Sequence, residues 1–208
     1  MKGLLRKDFY MVFRYCRTML LVIVVFLAVS FVSKANDFFT YYPCLLCGMI
    51  PVTLLSYDER SGWNRYALSM PCTRAQLVGG KYLIGSAMVA GATVISAAAA
   101  VIRSRVLGLA MGQEELLQTV EILLSVGLLA PALCLPWMFK LGVEKGRLAY
   151  YGVIVLFFGG AAGVSAGFKS QASLTVPAGV GHMLLVIALA LFAASWALSA
   201  AFVKNKEY

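Results

Sequence analysis

The chain has 208 residues, of which 61% are hydrophobic and 13% are charged, and its formal net charge is +9. Because a soluble domain carries about a quarter charged residues, this composition excludes an ordinary soluble protein and indicates a membrane protein. The basic residues flank apolar runs instead of forming a separate basic stripe. The charge therefore gives little support to nucleic-acid binding, and no nucleic-acid partner is expected.

The N-terminal segment, residues 2–17, mixes basic and bulky apolar side chains at helical spacing. The apolar members are Leu4, Leu5, Phe9, Tyr10, Val12 and Phe13, and the basic members are Lys2, Arg6, Lys7, Arg14 and Arg17. The pattern favours a helix lying in the membrane interface, with one apolar side and one cationic side. The alternative is a straight cytoplasmic extension of the first membrane span.

Six apolar runs follow, and each approaches the ~20 residues that a helix needs to cross a bilayer. The runs cover 18–33, 38–57, 82–102, 122–139, 148–168 and roughly 178–203. They predict an all-α fold: one polytopic membrane domain, residues 1–208, with six transmembrane helices. Prolines in the second and fourth runs are expected to kink or locally open those helices. Ala193, Ala197 and Ala201, like Gly159, Gly163 and Gly167, predict small-residue faces for close helix packing.

The distribution of basic residues predicts the orientation in the membrane. With the N-terminus in the cytoplasm, most of the 18 Lys and Arg residues fall in cytoplasmic segments. The exceptions on the outer side are Lys34, Arg103, Arg105 and Lys169. Cytoplasmic loops of membrane proteins carry an excess of Lys and Arg, so both termini are expected to be cytoplasmic.

The connection over residues 58–81 is the most informative loop, and it reads DERSGWNRYALSMPCTRAQLVGGK. Ser61 is expected to cap a short helix. One face of this helix is expected to carry Trp63, Tyr66, Ala67 and Met70. The two aromatic side chains favour anchoring in the headgroup layer and docking of a partner about equally.

The same loop contains the signals that end one helix and begin another. Pro71 ends the first short helix. Thr73 and Gln76 form a capping-box pattern, which starts a second helix that runs through Lys81 into the third span. The sequence therefore predicts an ordered helical hairpin on the cytoplasmic side.

Residues with catalytic or metal-binding potential are sparse. His182 is the single histidine, with no His or carboxylate at i+3 or i+4, so a hydrogen-bonded histidine is favoured over a metal ligand. Cys44 and Cys47 lie in an apolar run without an activating charge, which favours small buried side chains over a redox pair. Residues 79–82, GGKY, do not complete a phosphate-binding P-loop, so the chain is not expected to be an enzyme or to hydrolyse ATP.

The layout of the chain and the loop over residues 58–81, which is its first cytoplasmic loop, resemble those of bacterial ABC-2 type permeases. The resemblance is carried by the six spans and the basic N-terminal segment, and by the motif D-E-R-S-G-W … Y-A-L-S-M-P with the following Thr73-Arg74 and Lys81-Tyr82-Leu83. More narrowly, the chain is similar to the small permeases that include the phenol-soluble modulin exporter subunits.

The resemblance implies a type V exporter in the bacterial plasma membrane. Two six-helix permeases would pair, and each would rest on a separate ATPase subunit that binds ATP and Mg²⁺. Residues 2–17 would be the elbow helix, and residues 61–70, within the loop 58–81, the coupling helix. The residues implied in coupling or ATPase contact are Asp58, Glu59, Arg60, Trp63, Arg65, Tyr66, Pro71 and Arg74. The first three of these would form a polar hinge at the foot of the second span.

The cargo implied by this resemblance is an amphipathic or hydrophobic peptide, with lipids and lipophilic drugs left open. A rival interpretation is a membrane anchor or sensor that docks a cytoplasmic partner through the same loop. An intramembrane enzyme is disfavoured, because the spans carry few polar groups.

Overall fold

The structure is a computed structural model that describes residues 2–32, 38–69, 73–106, 112–143, 145–146 and 180–204. These residues include eight α-helices with defined bounds and contain no strand, which confirms the all-α prediction. The helices are α1 (Lys2–Tyr15), α2 (Arg17–Val32), α3 (Phe38–Gly48), α4 (Ile50–Arg60), α5 (Trp63–Ser69), α6 (Arg74–Val106), α7 (Gln113–Leu141) and α8 (Val180–Lys204).

Three of the described helices, α6, α7 and α8, are long and apolar enough to cross a membrane. A fourth candidate span arises if α1 and α2 are taken together. The second predicted span is divided into α3 and α4, with 11 residues each. The fifth, residues 148–168, lies outside the described residues. Six spans therefore remain a prediction.

The N-terminal helix α1 is not a straight extension of α2, because the two helices meet at an angle of 66°. The predicted separation of α1 into an apolar and a cationic side is confirmed only in part, because three of its six apolar side chains share the outward side with the arginines. The outward side chains are Arg6, Phe9, Tyr10, Phe13 and Arg14. Asp8, Val12 and Cys16 are buried at i, i+4 and i+8: Asp8 finds cationic partners inside the protein, and the other two pack in the hydrophobic core.

The prolines of the second and fourth predicted spans act differently. Helix α3 ends before Met49, and Pro51 lies in the first turn of α4, where its missing N–H leaves no helical hydrogen bond unmade. The expected opening of the second span therefore occurs at this point. Helix α7 continues through Pro131 and Pro136 without interruption.

Glycines allow α3, α6 and α7 to pack closely. A Cβ atom on Gly127 of α7 would lie 2.5 Å from Val89 Cγ1 of α6. A Cβ atom on Gly48 of α3 would collide with the Gly127 carbonyl oxygen. Small residues at helix crossings permit this backbone approach, which favours association within a membrane.

The last helix, α8, buries a polar stripe. Tyr82 of α6 shares hydrogen bonds with the hydroxyls of Ser195 and Ser199, at 2.6 and 2.8 Å. Since a buried hydroxyl is costly without a partner, this contact fixes which side of α8 faces the bundle. The predicted alanine face, with Ala193, Ala197 and Ala201, is exposed on this chain, and its close packing stays a prediction. The glycine pattern of residues 159–167 lies outside the described residues.

Several chain segments meet at one end of the molecule, which we call the basic end. It is defined by Lys7, Arg60, Arg74, Lys81 and Lys140. Arg74 at the start of α6 contacts the end of α8, and Lys140 at the end of α7 lies over the ring of Phe202. This arrangement follows from the antiparallel packing of α6 with both α7 and α8. It places the loop between α4 and α6 beside the ends of α7 and α8.

Candidate functional site at the basic end

Four charged side chains from three helices form a compact group at the basic end, which we call the charge cluster: Lys7, Asp8, Asp58 and Lys81. The Asp58 carboxylate lies 2.6 Å from Lys7 Nζ and 2.5 Å from Lys81 Nζ. The Asp8 carboxylate lies 2.9 Å from Lys81 Nζ and 3.3 Å from Lys7 Nζ. Each carboxylate therefore contacts both lysines, and the cluster joins α1, α4 and α6.

The charge cluster is buried and electrically balanced. The side chains of Asp58, Asp8 and Lys81 are 2%, 5% and 7% exposed, and only Lys7, at 22%, reaches solvent. Two positive and two negative charges cancel, which lowers the cost of removing them from water. Loss of any one member would leave an uncompensated buried charge.

Trp63 connects the charge cluster to α5. Lys7 Nζ lies 4.1 Å from the centroid of the Trp63 ring, which is the geometry of a cation–π contact. Such contacts contribute about 0.5–2 kcal/mol, with the larger values at desolvated sites. The first residue of α5 is thus attached to α1 as well as to the end of α4.

The short helix α5 begins later than the sequence predicts. Ser61 does not cap α5; it follows α4, and its hydroxyl donates to the carbonyl oxygen of Asp58, at 3.2 Å. Gly62 has a φ of +66° and reverses the chain before Trp63. A left-handed glycine commonly ends a helix, so Ser61 belongs to the preceding element and its predicted capping role was wrong.

The side chains of α5 point in different directions. Ala67 is fully buried and Trp63 is partly buried, whereas Tyr66 is 61% exposed. The Tyr66 ring lies 5.5 Å from that of Trp63, so the predicted neighbourhood of these two rings is confirmed, but Tyr66 lies at the outer edge of the face that Ala67 buries. Tyr66 projects outward from a helix whose other side is held against the protein. Met70, Pro71 and the side chain of Arg65 lie outside the described residues.

Glu59 connects the first loop to the turn after α7. Its Oε2 accepts a hydrogen bond from the Val143 backbone N–H, at 2.7 Å. Gly142 makes this contact possible, since its φ is +83° and a Cβ atom there would lie 3.0 Å from Glu59 Oε1. Arg60 and Lys145 are exposed around an adjoining pocket of about 350 Å³. Two segments 84 residues apart are thereby fixed to one another.

The start of α6 confirms the predicted capping box. The Gln76 backbone N–H donates to Thr73 Oγ1, and the Thr73 backbone N–H donates to Gln76 Oε1, at 3.3 and 3.2 Å. Arg74 donates to the carbonyl oxygens of Val203 and Lys204, at 3.3 and 2.7 Å. In the structure Arg74 thus caps the last turn of α8, where a cation is favoured by the helix dipole.

A family model described as ABC-2 family transporter protein matches residues 3–204, nearly the whole chain. The chain belongs to the ABC-2 transporter family. No curated protein and no solved structure shows significant similarity to it. The family and the apolar helices identify a membrane-embedded permease subunit of an ABC transporter, and the family implies a partner ABC ATPase subunit. The narrower resemblance to modulin exporter permeases remains a prediction.

Three members of the charge cluster of this ABC-2 permease were absent from the coupling and contact residues that the resemblance implied: Lys7, Asp8 and Lys81. Asp8 could have been recognised from the sequence as a candidate for an ion pair, because it is the single acidic residue in a strongly basic N-terminal helix. Lys81 lies at the edge of an apolar run, where a charge needs either solvent or a partner. Their pairing with Asp58 depends on how α1, α4 and α6 pack together, which local sequence patterns do not specify.

The remaining candidates of the permease have structural roles. His182 Nδ1 contacts Glu121 Oε1 across α7 and α8, which confirms the expected partnered histidine. Cys44 and Cys47 are buried, as expected for small apolar side chains. Within the described segments, groups of three or more His, Cys, Asp or Glu side chains with metal-site geometry are absent.

Proposed function

We propose that this permease is the membrane subunit of an ATP-driven exporter of the type V arrangement. Hydrolysis of ATP, with Mg²⁺, would occur in a separate ATPase subunit, and this chain would be no enzyme itself. The observation that carries the proposal is the attachment of α5 to the charge cluster. That attachment gives a short, outward-projecting helix a rigid connection to α1, α4 and α6.

The charge cluster suits the transmission of force. An ATPase docked on Tyr66 would displace α5, and the Lys7–Trp63 contact with the Gly62 turn would carry the displacement to Asp58. Ion pairs between buried charges are stronger than those in water, so the three helices would respond together. A loose loop would absorb the same movement. Rigid-body switching between inward and outward access follows from such a connection.

The proposed assembly contains two permease chains, identical or related, that line one path. Each has six spans, with the elbow helix α1 and the coupling helix α5 on the cytoplasmic side. Both termini would face the cytoplasm of a bacterial cell. The outward apolar surface of α8, which includes Met183, Val186 and Leu198, supplies area for lipid or for the second chain.

The proposed cargo is an amphipathic or hydrophobic peptide, as in the modulin exporters that the chain resembles. An open groove of about 400 Å³ between α6 and α8 supports this class. Its lining includes Gly79, Tyr82, Leu83, Ser86, Phe192 and Trp196. The groove is almost entirely apolar, so it suits hydrophobic side chains better than an inorganic ion or a sugar phosphate.

Purification of the tagged chain from native membranes in mild detergent tests the proposal. A stoichiometric ATPase whose hydrolysis responds to the permease is expected. Tyr66→Ala should weaken this association, because the Tyr66 ring is exposed and available to a partner. Trp137→Ala, which alters a half-exposed aromatic on α7, is the matched control and should retain the ATPase. An intact, monodisperse chain without an ATPase would support an anchor or sensor and reject the exporter.

Transport itself is measured in inverted membrane vesicles that contain both subunits. ATP should drive accumulation of a fluorescent amphipathic helical peptide, and a charged hydrophilic peptide of equal length should not accumulate. Equal uptake of both peptides, or uptake independent of ATP, would reject the proposed cargo. Co-purification of the ATPase is measured separately, so a wrong cargo is distinguishable from a wrong partner.

A further inference from the structure

The outward side of α1 forms an unusual surface, which we call the arginine–aromatic face: Arg6, Phe9, Tyr10, Phe13 and Arg14. These residues lie on one side of the helix because they recur at spacings of three and four. The three aromatic side chains are 54%, 61% and 55% exposed, and both arginines are exposed as well. So much exposed aromatic surface on one short helix indicates an interaction site.

This face carries only positive charge. Asp8 is the single acid of α1, and it is buried on the opposite side in the charge cluster. The rest of that opposite side, including Val12, packs into the protein. Helix α1 is therefore held by its inner side, while its outer side presents two guanidinium groups that no acid of the same helix neutralises.

Contacts along the arginine–aromatic face order its side chains. The rings of Phe9 and Phe13 meet edge to face, with 5.0 Å between centroids. The Arg6 guanidinium lies 5.9 Å from the centroid of the Tyr10 ring. Arg6 and Arg14 are eight residues apart, or about 12 Å along the helix. This spacing allows each guanidinium to bind a separate headgroup phosphate, for which its planar set of donors is well matched.

We propose that the arginine–aromatic face binds anionic phospholipid headgroups. Basic residues on a helix attract anionic lipid, and the neighbouring aromatic rings insert at the boundary between headgroups and acyl chains. The angle of 66° between α1 and α2 turns α1 away from the axis of the apolar helix that follows it. Charge complementarity thus selects an anionic lipid surface over a zwitterionic one.

The same helix joins this lipid site to the charge cluster. Lys7 and Asp8 leave α1 on its inner side, one and two residues after Arg6. Lipid bound on the outer side would therefore hold α1, and with it the charge cluster, in position. This consequence for coupling rests on the proposed function, whereas the binding of lipid does not.

The test uses the purified full-length chain in non-ionic detergent, without the ATPase. Phosphatidylglycerol or phosphatidylcholine is titrated in, and the lipid retained on the protein is counted by native mass spectrometry. The wild type should prefer phosphatidylglycerol, and added salt should weaken this preference. Arg6→Gln with Arg14→Gln should lower affinity for phosphatidylglycerol about tenfold or more, because each basic side chain near an anionic surface contributes separately.

Two further variants make the result specific. Arg105→Gln with Lys204→Gln removes two exposed charges elsewhere and should keep the wild-type preference. Arg6→Lys with Arg14→Lys keeps the charge and should retain most of the preference, which separates electrostatic binding from a folding defect. Equal retention of phosphatidylglycerol by the wild type and the Arg6→Gln, Arg14→Gln variant would overturn the proposal. Displacement of the lipid by an equal concentration of inorganic phosphate would also overturn it, because it would indicate a simple anion site.

Discussion

At the scale of single residues, the charge cluster is the most demanding feature of this permease. Asp58 is the foot of the second predicted span, and its carboxylate is shared between Lys7 and Lys81, with Asp8 completing the balance. A buried ion pair is weak support for stability in itself, because desolvation offsets much of the attraction. Its value here is in fixing which helices meet, since an unpaired member would be costly.

Removal of one acid from the cluster should therefore be strongly destabilising. Asp58→Asn leaves two lysines facing the single carboxylate of Asp8, and we expect a loss of about 3 kcal/mol in the free energy of unfolding. Adding Lys81→Met to the same variant restores charge balance and should recover a large part of that loss. Chemical denaturation of the detergent-solubilised chain measures both variants.

The control for this series is Glu114→Gln, which removes an exposed carboxylate from the first turn of α7. It should change the free energy of unfolding by no more than about 0.5 kcal/mol. If Asp58→Asn behaved like Glu114→Gln, or if the double variant were less stable than Asp58→Asn, the charge cluster would not be the balanced unit described above.

The sequence predicted some single-residue contacts and missed others for a physical reason. The capping box of Thr73 and Gln76 was predictable because both partners lie within one turn of the same helix. The contact between Lys7 and Asp58 spans 51 residues, and no local preference specifies it. Asp58 was recognised from a motif in the loop, but its pairing with Lys7 and Lys81 became visible only through packing.

At the scale of helices, chain reversals explain where the predictions of boundaries failed. Gly62 adopts a left-handed conformation directly after Ser61, which assigns Ser61 to the end of α4 and starts α5 at Trp63. A serine before an aromatic residue looks like a helix cap from sequence, but the glycine between them changes its role. The division of the second span was foreseeable, since Pro51 suits the first turn of a new helix.

The junction between α4 and the end of α7 provides a second test. Gly142→Ala would place a side chain at a φ of +83° and against Glu59, so the Glu59–Val143 hydrogen bond should weaken. A left-handed conformation costs a non-glycine residue about 1–2 kcal/mol, and we expect destabilisation of at least that size. The measurement is the free energy of unfolding, together with hydrogen exchange of the Val143 amide.

Gly112→Ala is the matched control for this substitution. Gly112 has a φ of −70°, and no atom lies within 4 Å of a Cβ placed there. Its replacement should leave both the stability and the exchange of the Val143 amide close to those of the wild type. If the Val143 amide exchanged no faster in Gly142→Ala than in Gly112→Ala, Glu59 would not be what holds this turn.

At the scale of the whole molecule, contacts between helix ends show which loops lie at the same end of the helix bundle. Contacts of Arg74 with Lys204, and of Glu59 with Val143, bring the first loop, the end of α7 and the end of α8 together. The start of α7 and the start of α8 meet at the opposite end through Glu121 and His182. The sequence predicted this pairing of loops from the distribution of basic residues, because Lys and Arg mark the cytoplasmic side.

Labelling with an impermeant thiol reagent on intact cells tests the orientation. In a Cys72→Ser background, a cysteine at position 113 should react from outside and a cysteine at position 145 should not. Both positions are exposed in the structure, so accessibility within the fold does not separate them. After permeabilisation both should react. Labelling of position 145 on intact cells would show the opposite orientation, with the basic end outside the cell.

The proposed exporter depends above all on docking of the outward face of α5 on an ATPase. The most direct measurement is photocrosslinking in native membranes from a benzophenone amino acid at position 66, with position 105 as the control. A crosslinked adduct with an ATPase subunit is expected from position 66 and none from position 105. If no ATPase adduct formed from position 66, or if position 105 gave an equally strong one, α5 would not be the coupling helix.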